Sequence, residues 1–99
     1  MKFMITYSYR ETNFLPVLRA WGSMSPQERA DVGEGVKLIG RWHDVVGRSV
    51  INIVEANDSA AVAPFFGRWN SNGDCVITPV LDDEEAAAAA RQIVADLSA

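Results

Sequence analysis

With 99 residues, 48% of them hydrophobic and 22% charged, the chain has room for one domain spanning 1–99 and reads as neither disordered nor fibrous. Its 13 acidic and 9 basic residues leave a formal net charge of −4. The acidic excess is local: Asp82, Asp83, Glu84, Glu85 and Asp96 meet only Arg91 after position 81, and eight residues of each sign precede it. A neutral body with an acidic end lacks the basic footprint that phosphate backbones require, so no nucleic-acid partner is expected.

Residues 2–9 alternate, with Phe3, Ile5, Tyr7 and Tyr9 on one face and Met4, Thr6 and Ser8 on the other, which predicts a strand. Thr12 or Asn13 offers an N-cap for a helix carrying Phe14, Leu15, Leu18 and Trp21, with Pro16 tolerated in its first turn and Gly22 at its end. Ser25-Pro26-Gln27-Glu28 has the form of a capping box with proline at the first helical position, and Gly33-Glu34-Gly35 closes that second helix. Val36–His43 and Ser49–Ala56 read as strands joined by a short hairpin in which Gly47 is able to take a positive φ. Asn57-Asp58 caps a helix whose Val62, Phe65, Phe66 and Trp69 form one apolar stripe. Pro64 inside it predicts a kink or a late start. After the stop at Asn72-Gly73, Cys75–Leu81 supplies the fourth strand, and the acids 82–85 open a last helix docked by Ile93, Val94 and Leu97.

This order predicts an α+β, ferredoxin-like βαββαβ domain with an additional C-terminal helix. Strands two and three carry apolar residues on both faces, with Val36 and Leu38 against Ile39, and Val50 and Val54 against Ile51 and Ile53. Helices cover one face of a four-stranded sheet. The other calls for a second copy, so a homodimer in the form of a dimeric α/β barrel is expected. No apolar run approaches the roughly 20 residues of a membrane span, no charged-then-apolar leader precedes Lys2, and Cys75 stands alone. The chain therefore reads as cytoplasmic, with no membrane partner.

Gly35-Val36-Lys37, Gly40-Arg41-Trp42-His43-Asp44, Val54-Glu55-Ala56, Trp69 and Thr78-Pro79-Val80-Leu81-Asp82-Asp83-Glu84-Glu85 together resemble a bacterial domain-of-unknown-function family that looks like a branch of the dimeric α/β-barrel superfamily. The similarity covers about residues 35–90 and the first strand; residues 10–34 match in layout, and Pro64 departs from the uninterrupted helix expected. The resemblance implies the fold and transfers no activity. Other branches of that superfamily bind small, often aromatic molecules between sheet and helices; some are cofactor-free oxygenases or cyclases, some bind haem, some only bind or store.

His43 is the lone histidine and the natural acid or base near neutral pH, with Asp44 or Glu55 to orient it and Arg41 to stabilise an anion. The plainer reading has it bonding the hairpin backbone as a pin. A four-residue loop pairs it with Arg48, on a face with Ile39, Arg41, Val50 and Asn52; a five-residue loop sets it opposite Ser49. Asn52, a polar amide among isoleucines and valines, lines a wet pocket or needs a buried partner. Trp21, Trp42, Trp69, Tyr7, Tyr9, Phe65 and Phe66 are candidates to wall an aromatic-binding cavity or are simply core. Arg41, Arg48 and Arg68 are candidate carboxylate clamps or salt-bridge partners. One His and one Cys fall short of a structural zinc set, no haem-specific residues accompany His43, and Cys75 reads as a small hydrophobe, so no metal or cofactor is expected.

The leading expectation is a small-molecule protein for an apolar or aromatic ligand, in its sharper form a cofactor-independent enzyme using His43, Arg41 and Asp44, with Trp42, Asn52, Tyr7 and Trp69 at the ligand. The alternative is a non-catalytic binding or interaction module whose apolar sheet face serves only assembly. A cavity above roughly 300 Å³ beside His43 and Asn52 separates the two.

Overall fold

Strand β1 (Lys2–Tyr9) is the spine of the sheet, and its alternation survives intact: Phe3, Ile5, Tyr7 and Tyr9 are buried while Ser8 is exposed. In the computed structural model, which describes residues 1–98, β1 lies between two antiparallel neighbours. Phe3↔Val54, Ile5↔Asn52 and Tyr7↔Val50 pair it with β3 (Ser49–Glu55); Ile5↔Ile77 and Tyr7↔Cys75 pair it with β4 (Gly73–Val80). Strand β2 (Lys37–Asp44) adds to the outside of β3, so the order is β2-β3-β1-β4. The protein is α+β with a four-stranded antiparallel sheet and four helices, compatible with a ferredoxin-like fold.

Helix α1 (Phe14–Ser23) follows a 3-10 turn at Glu11–Asn13, and Pro16 sits in its first turn. Asn13 occupies the N-cap position but does not cap with its side chain; its Nδ2 donates instead to the Asn72 carbonyl at 2.9 Å, tying α1 to the start of β4. Helix α2 (Pro26–Ala30) has the predicted capping box: Ser25 Oγ accepts from the Glu28 N–H and Glu28 Oε1 from the Ser25 N–H. Gly33 then takes a φ of +103° with the Phe65 Cβ only 3.2 Å from where its own Cβ would stand, so both backbone shape and space require glycine there.

Helix α3 (Ser59–Gly67), capped by Asp58 Oδ1 on the Ala61 N–H, starts as expected and runs through Pro64 before tightening to a 3-10 turn at Arg68–Ser71. Its Val62 and Phe66 close on Phe3, Ile5 and Val54 to make the core, with Val32 from the α2–β2 connection. At roughly 1.5–3 kcal/mol per fully buried large apolar side chain, this one-sided cluster is the main term holding helices to sheet.

Two features of β2 differ from the sequence reading. A bulge at Ile39 lets Leu38↔Val54 be followed by Gly40↔Ile53, which shifts the side-chain alternation by one residue. Beyond it the register is Arg41↔Asn52, His43↔Val50 and Asp44↔Ser49, so His43 faces neither predicted partner, Arg48 or Ser49, but the next residue, Val50. The turn is Val45–Arg48, and the residue at positive φ is Arg48 (+58°), not Gly47. Gly47 is needed for a different reason: a Cβ there would run into the Asp44 carboxylate, whose Oδ1 accepts the Gly47 N–H at 2.8 Å.

Helix α4 (Asp83–Ser98) forms, opened by a reciprocal Asp82–Glu85 capping box and held at its start by Lys2, 3.3 Å from Asp82 and 3.9 Å from Glu85. It does not dock as expected. None of its described residues is buried, and Ile93, Val94 and Leu97 face solvent, Leu97 at 82% exposure. The radius of gyration is 16.4 Å, against about 13 Å for a compact chain of 100 residues, and the longest extent is 56 Å.

Candidate functional site

A cavity of about 270 Å³ lies between the helix-covered face of the sheet and helices α1, α2 and α3. Its position follows from alternation. Tyr7, Tyr9, Asn52, Val50, Cys75, Arg41 and His43 share one face of the sheet because the Ile39 bulge brings the end of β2 into phase with β3 and β1. Leu18 and Trp21 of α1, Met24, and Phe66 and Trp69 close it from the helix side. The aromatic wall is continuous: Tyr7 stacks on Tyr9 at 5.7 Å between ring centroids and meets Trp69 edge-on at 5.7 Å. A second, more open depression of about 380 Å³ lies at the far end of the sheet by Met1, Val36, Lys37 and Asn57, and no aromatic residue lines it.

One end of the first cavity is polar. Asn52 is 4% exposed and both ends of its amide are bonded, Oδ1 accepting from Arg41 Nε at 2.7 Å and Nδ2 donating to the Ile5 carbonyl at 3.4 Å. Arg41 also donates through Nη1 to the Arg29 carbonyl at 2.8 Å, and its guanidinium lies 4.7 Å from the Trp21 ring centroid. Burial and the neighbouring charge of Arg29 both push the Arg41 pKa down. His43 stands at the rim, its ring 4.9 Å from Trp21; burial against these neighbours, then the charge of Arg41, pushes its pKa below the ordinary 6.5. The imidazole is therefore neutral at pH 7 and equipped to accept a proton. Burial pushes the Cys75 thiol up, so it stays protonated and apolar beside Tyr7.

Two buried polar atoms in this region have no partner among the described residues: the Tyr7 hydroxyl and Arg29 Nε. Both side chains line the cavity. Among the described residues no three His, Cys, Asp or Glu side chains converge as a metal-ligand group.

The family model described as "Domain of unknown function (DUF3303)" matches residues 1–94. The chain belongs to the DUF3303 family. A search of curated proteins finds no match, and a search of solved structures finds none. The match in this DUF3303 chain runs from β1 into α4 and takes in every residue that lines the cavity.

Of the residues singled out from sequence, Tyr7, Arg41, His43, Asn52 and Trp69 come together here. Trp42 and Asp44 do not. Alternation turns them to the opposite face, where the 63% exposed Trp42 ring folds over Gly40, 2.5 Å from where a Cβ would stand, and Asp44 closes the hairpin turn. Glu55 pairs with Lys2 at 3.5 Å, at the other end of β3. The His43 ring makes no hydrogen bond among the described residues, and the side chain that closes the hairpin turn is that of Asp44. The sequence reading did not place Arg29, Met24 or Glu28 at the site. A basic residue in the last turn of a short helix reads as a complement to the helix dipole, and nothing in α2 signals that it stands over the sheet.

Proposed function

We propose that this protein binds a small apolar or aromatic molecule in the cavity between sheet and helices, and that it does so as a homodimer. The cavity itself carries the reading. At about 270 Å³ it falls short of the roughly 300 Å³ expected of a pocket for a drug-sized ligand and set above as the dividing line, so the reading narrows to smaller molecules, for which a dry cavity of about 150 Å³ already suffices in the case of benzene. Its size and aromatic wall suit a compound of one or two rings. Where chemistry follows binding, His43 is the acid/base: it is neutral at pH 7, sits at the rim, and has Arg41 beside it to stabilise an anion that forms. Asp44 has no part in orienting it.

The homodimer draws its support from the outer sheet face, where Ile39, Trp42, Ile51 and Val76 are all exposed, and from the unburied apolar side of α4. A second copy across that face would complete a dimeric α/β barrel. The same observation favours the second reading, a module whose sheet face serves only assembly. The two readings share the dimer and differ in whether the cavity is filled.

Native mass spectrometry of the protein purified from its source, beside a tryptophan-fluorescence titration of the stripped protein with indole, tests the proposal. A retained aromatic compound, or saturable binding that Leu18→Trp abolishes by filling the cavity, supports it. No retained compound and no saturable binding leaves the assembly module standing alone.

A further inference from the structure

We infer that the molecule taken into the cavity is an anion: an aromatic carboxylate whose charged end lies between Arg41 and Arg29 and whose ring lies against Tyr7, Trp21 and Trp69. This rests on the cavity-binding reading and adds the charge of the ligand to it.

Three observations converge. Arg41 is half-buried, yet both of its bonds go to neutral acceptors, the Asn52 side-chain oxygen and the Arg29 carbonyl. No carboxylate lies within ion-pairing distance of it among the described residues; the ion pairs there all belong to Lys2. Second, Arg29 lines the same end of the cavity with its Nε buried and unpartnered, and its charge acts on Arg41. Two guanidinium groups thus face one small volume without a counter-ion. Third, the one carboxylate in the lining, Glu28, has Oε1 committed to the Ser25 N–H in the capping box and pairs with neither arginine.

Desolvating like charges side by side is unfavourable unless an opposite charge lies between them. A carboxylate supplies that charge, and its two oxygens suit guanidinium donors. Apart from His43 and Asn52 the rest of the wall is apolar or aromatic, which selects a ring as the body of the ligand.

The test uses matched pairs. Phenylacetate and phenylacetamide have nearly the same shape and differ in charge, and both are titrated at neutral pH against the intrinsic tryptophan fluorescence. The acid is expected to bind at least about ten-fold more tightly than the amide, as a charge-assisted bond to a partly desolvated guanidinium implies. Arg41→Met is expected to remove that preference, so that the acid binds no more tightly than the amide to the same variant. Arg29→Gln, which deletes a side chain that holds no partner, is expected to reduce it, and covers the case in which Arg41→Met does not fold. Saturable binding of both compounds with equal affinity overturns the anion inference while leaving the cavity reading intact. Failure of phenylacetate, phenylacetamide and indole alike to bind overturns both.

Discussion

His43 combines a depressed pKa with an exposed position and a ring that makes no hydrogen bond among the described residues, so its proposed chemistry and its part in folding can be tested apart. His43→Ala is expected to change stability by less than about 1 kcal/mol, because an exposed side chain with no bonds gives up little, and to abolish turnover if the protein is an enzyme. Thermal melts beside a turnover assay check this. The sign of its pH effect follows from the shift. The unfolded chain takes up the imidazole proton near the ordinary 6.5 while the native state resists until lower pH, so stability is greatest above 6.5 and falls as pH drops through the window beneath it. Urea unfolding of wild type from pH 7 to pH 5.5 is expected to show that decline, with a flatter profile in His43→Gln. Asn52 behaves in the opposite way. Asn52→Leu strands Arg41 Nε, and is expected to cost about 1–3 kcal/mol in the same measurement.

At the scale of elements, the hairpin and the bulge do the positioning. The Ile39 bulge puts Arg41 and His43 on the cavity face, and the turn that follows is held by Asp44 on Gly47. Asp44→Ala is therefore expected to lower stability by about 0.5–1.5 kcal/mol, the worth of one net hydrogen bond, and to leave ligand binding intact. A binding loss as large as that of Arg41→Met would show that Asp44 serves the cavity after all. Helix α4 is the other telling element. It has a well-formed start and no buried residue, so in a monomer its amides beyond Arg91 should exchange among the fastest of any regular element, and protection equal to that of β1 and β3 would mean that another surface covers it.

At the scale of the whole molecule, the exposed outer face and the projecting α4 belong together. Leaving Trp42, Ile51, Val76 and Ile93 in water forgoes roughly 1.5–3 kcal/mol for each side chain that burial would gain. Light scattering at micromolar concentration is expected to return twice the chain mass, and Ile51→Glu to return the monomer with β1 and the cavity undisturbed. A clean wild-type monomer would end the barrel proposal.

Periodicity along the chain determined the elements. Alternation in β1, the Ser25–Glu28 capping box, the Val62–Trp69 stripe and the acids that open α4 are local patterns, and each formed where its residues stand. From them followed the order of the elements along the chain, and with it an antiparallel four-stranded sheet compatible with a ferredoxin-like fold. Tertiary structure alone decided the rest. A single bulged residue at Ile39 inverts the facing of everything after it in β2, and bulges arise from pairing with another strand, not from the strand's own pattern. The same holds for Arg29, whose helix reads as surface until α2 is packed over the sheet, and for Ile93, Val94 and Leu97, whose helical spacing predicts an apolar face but says nothing of whether this chain supplies the surface to receive it.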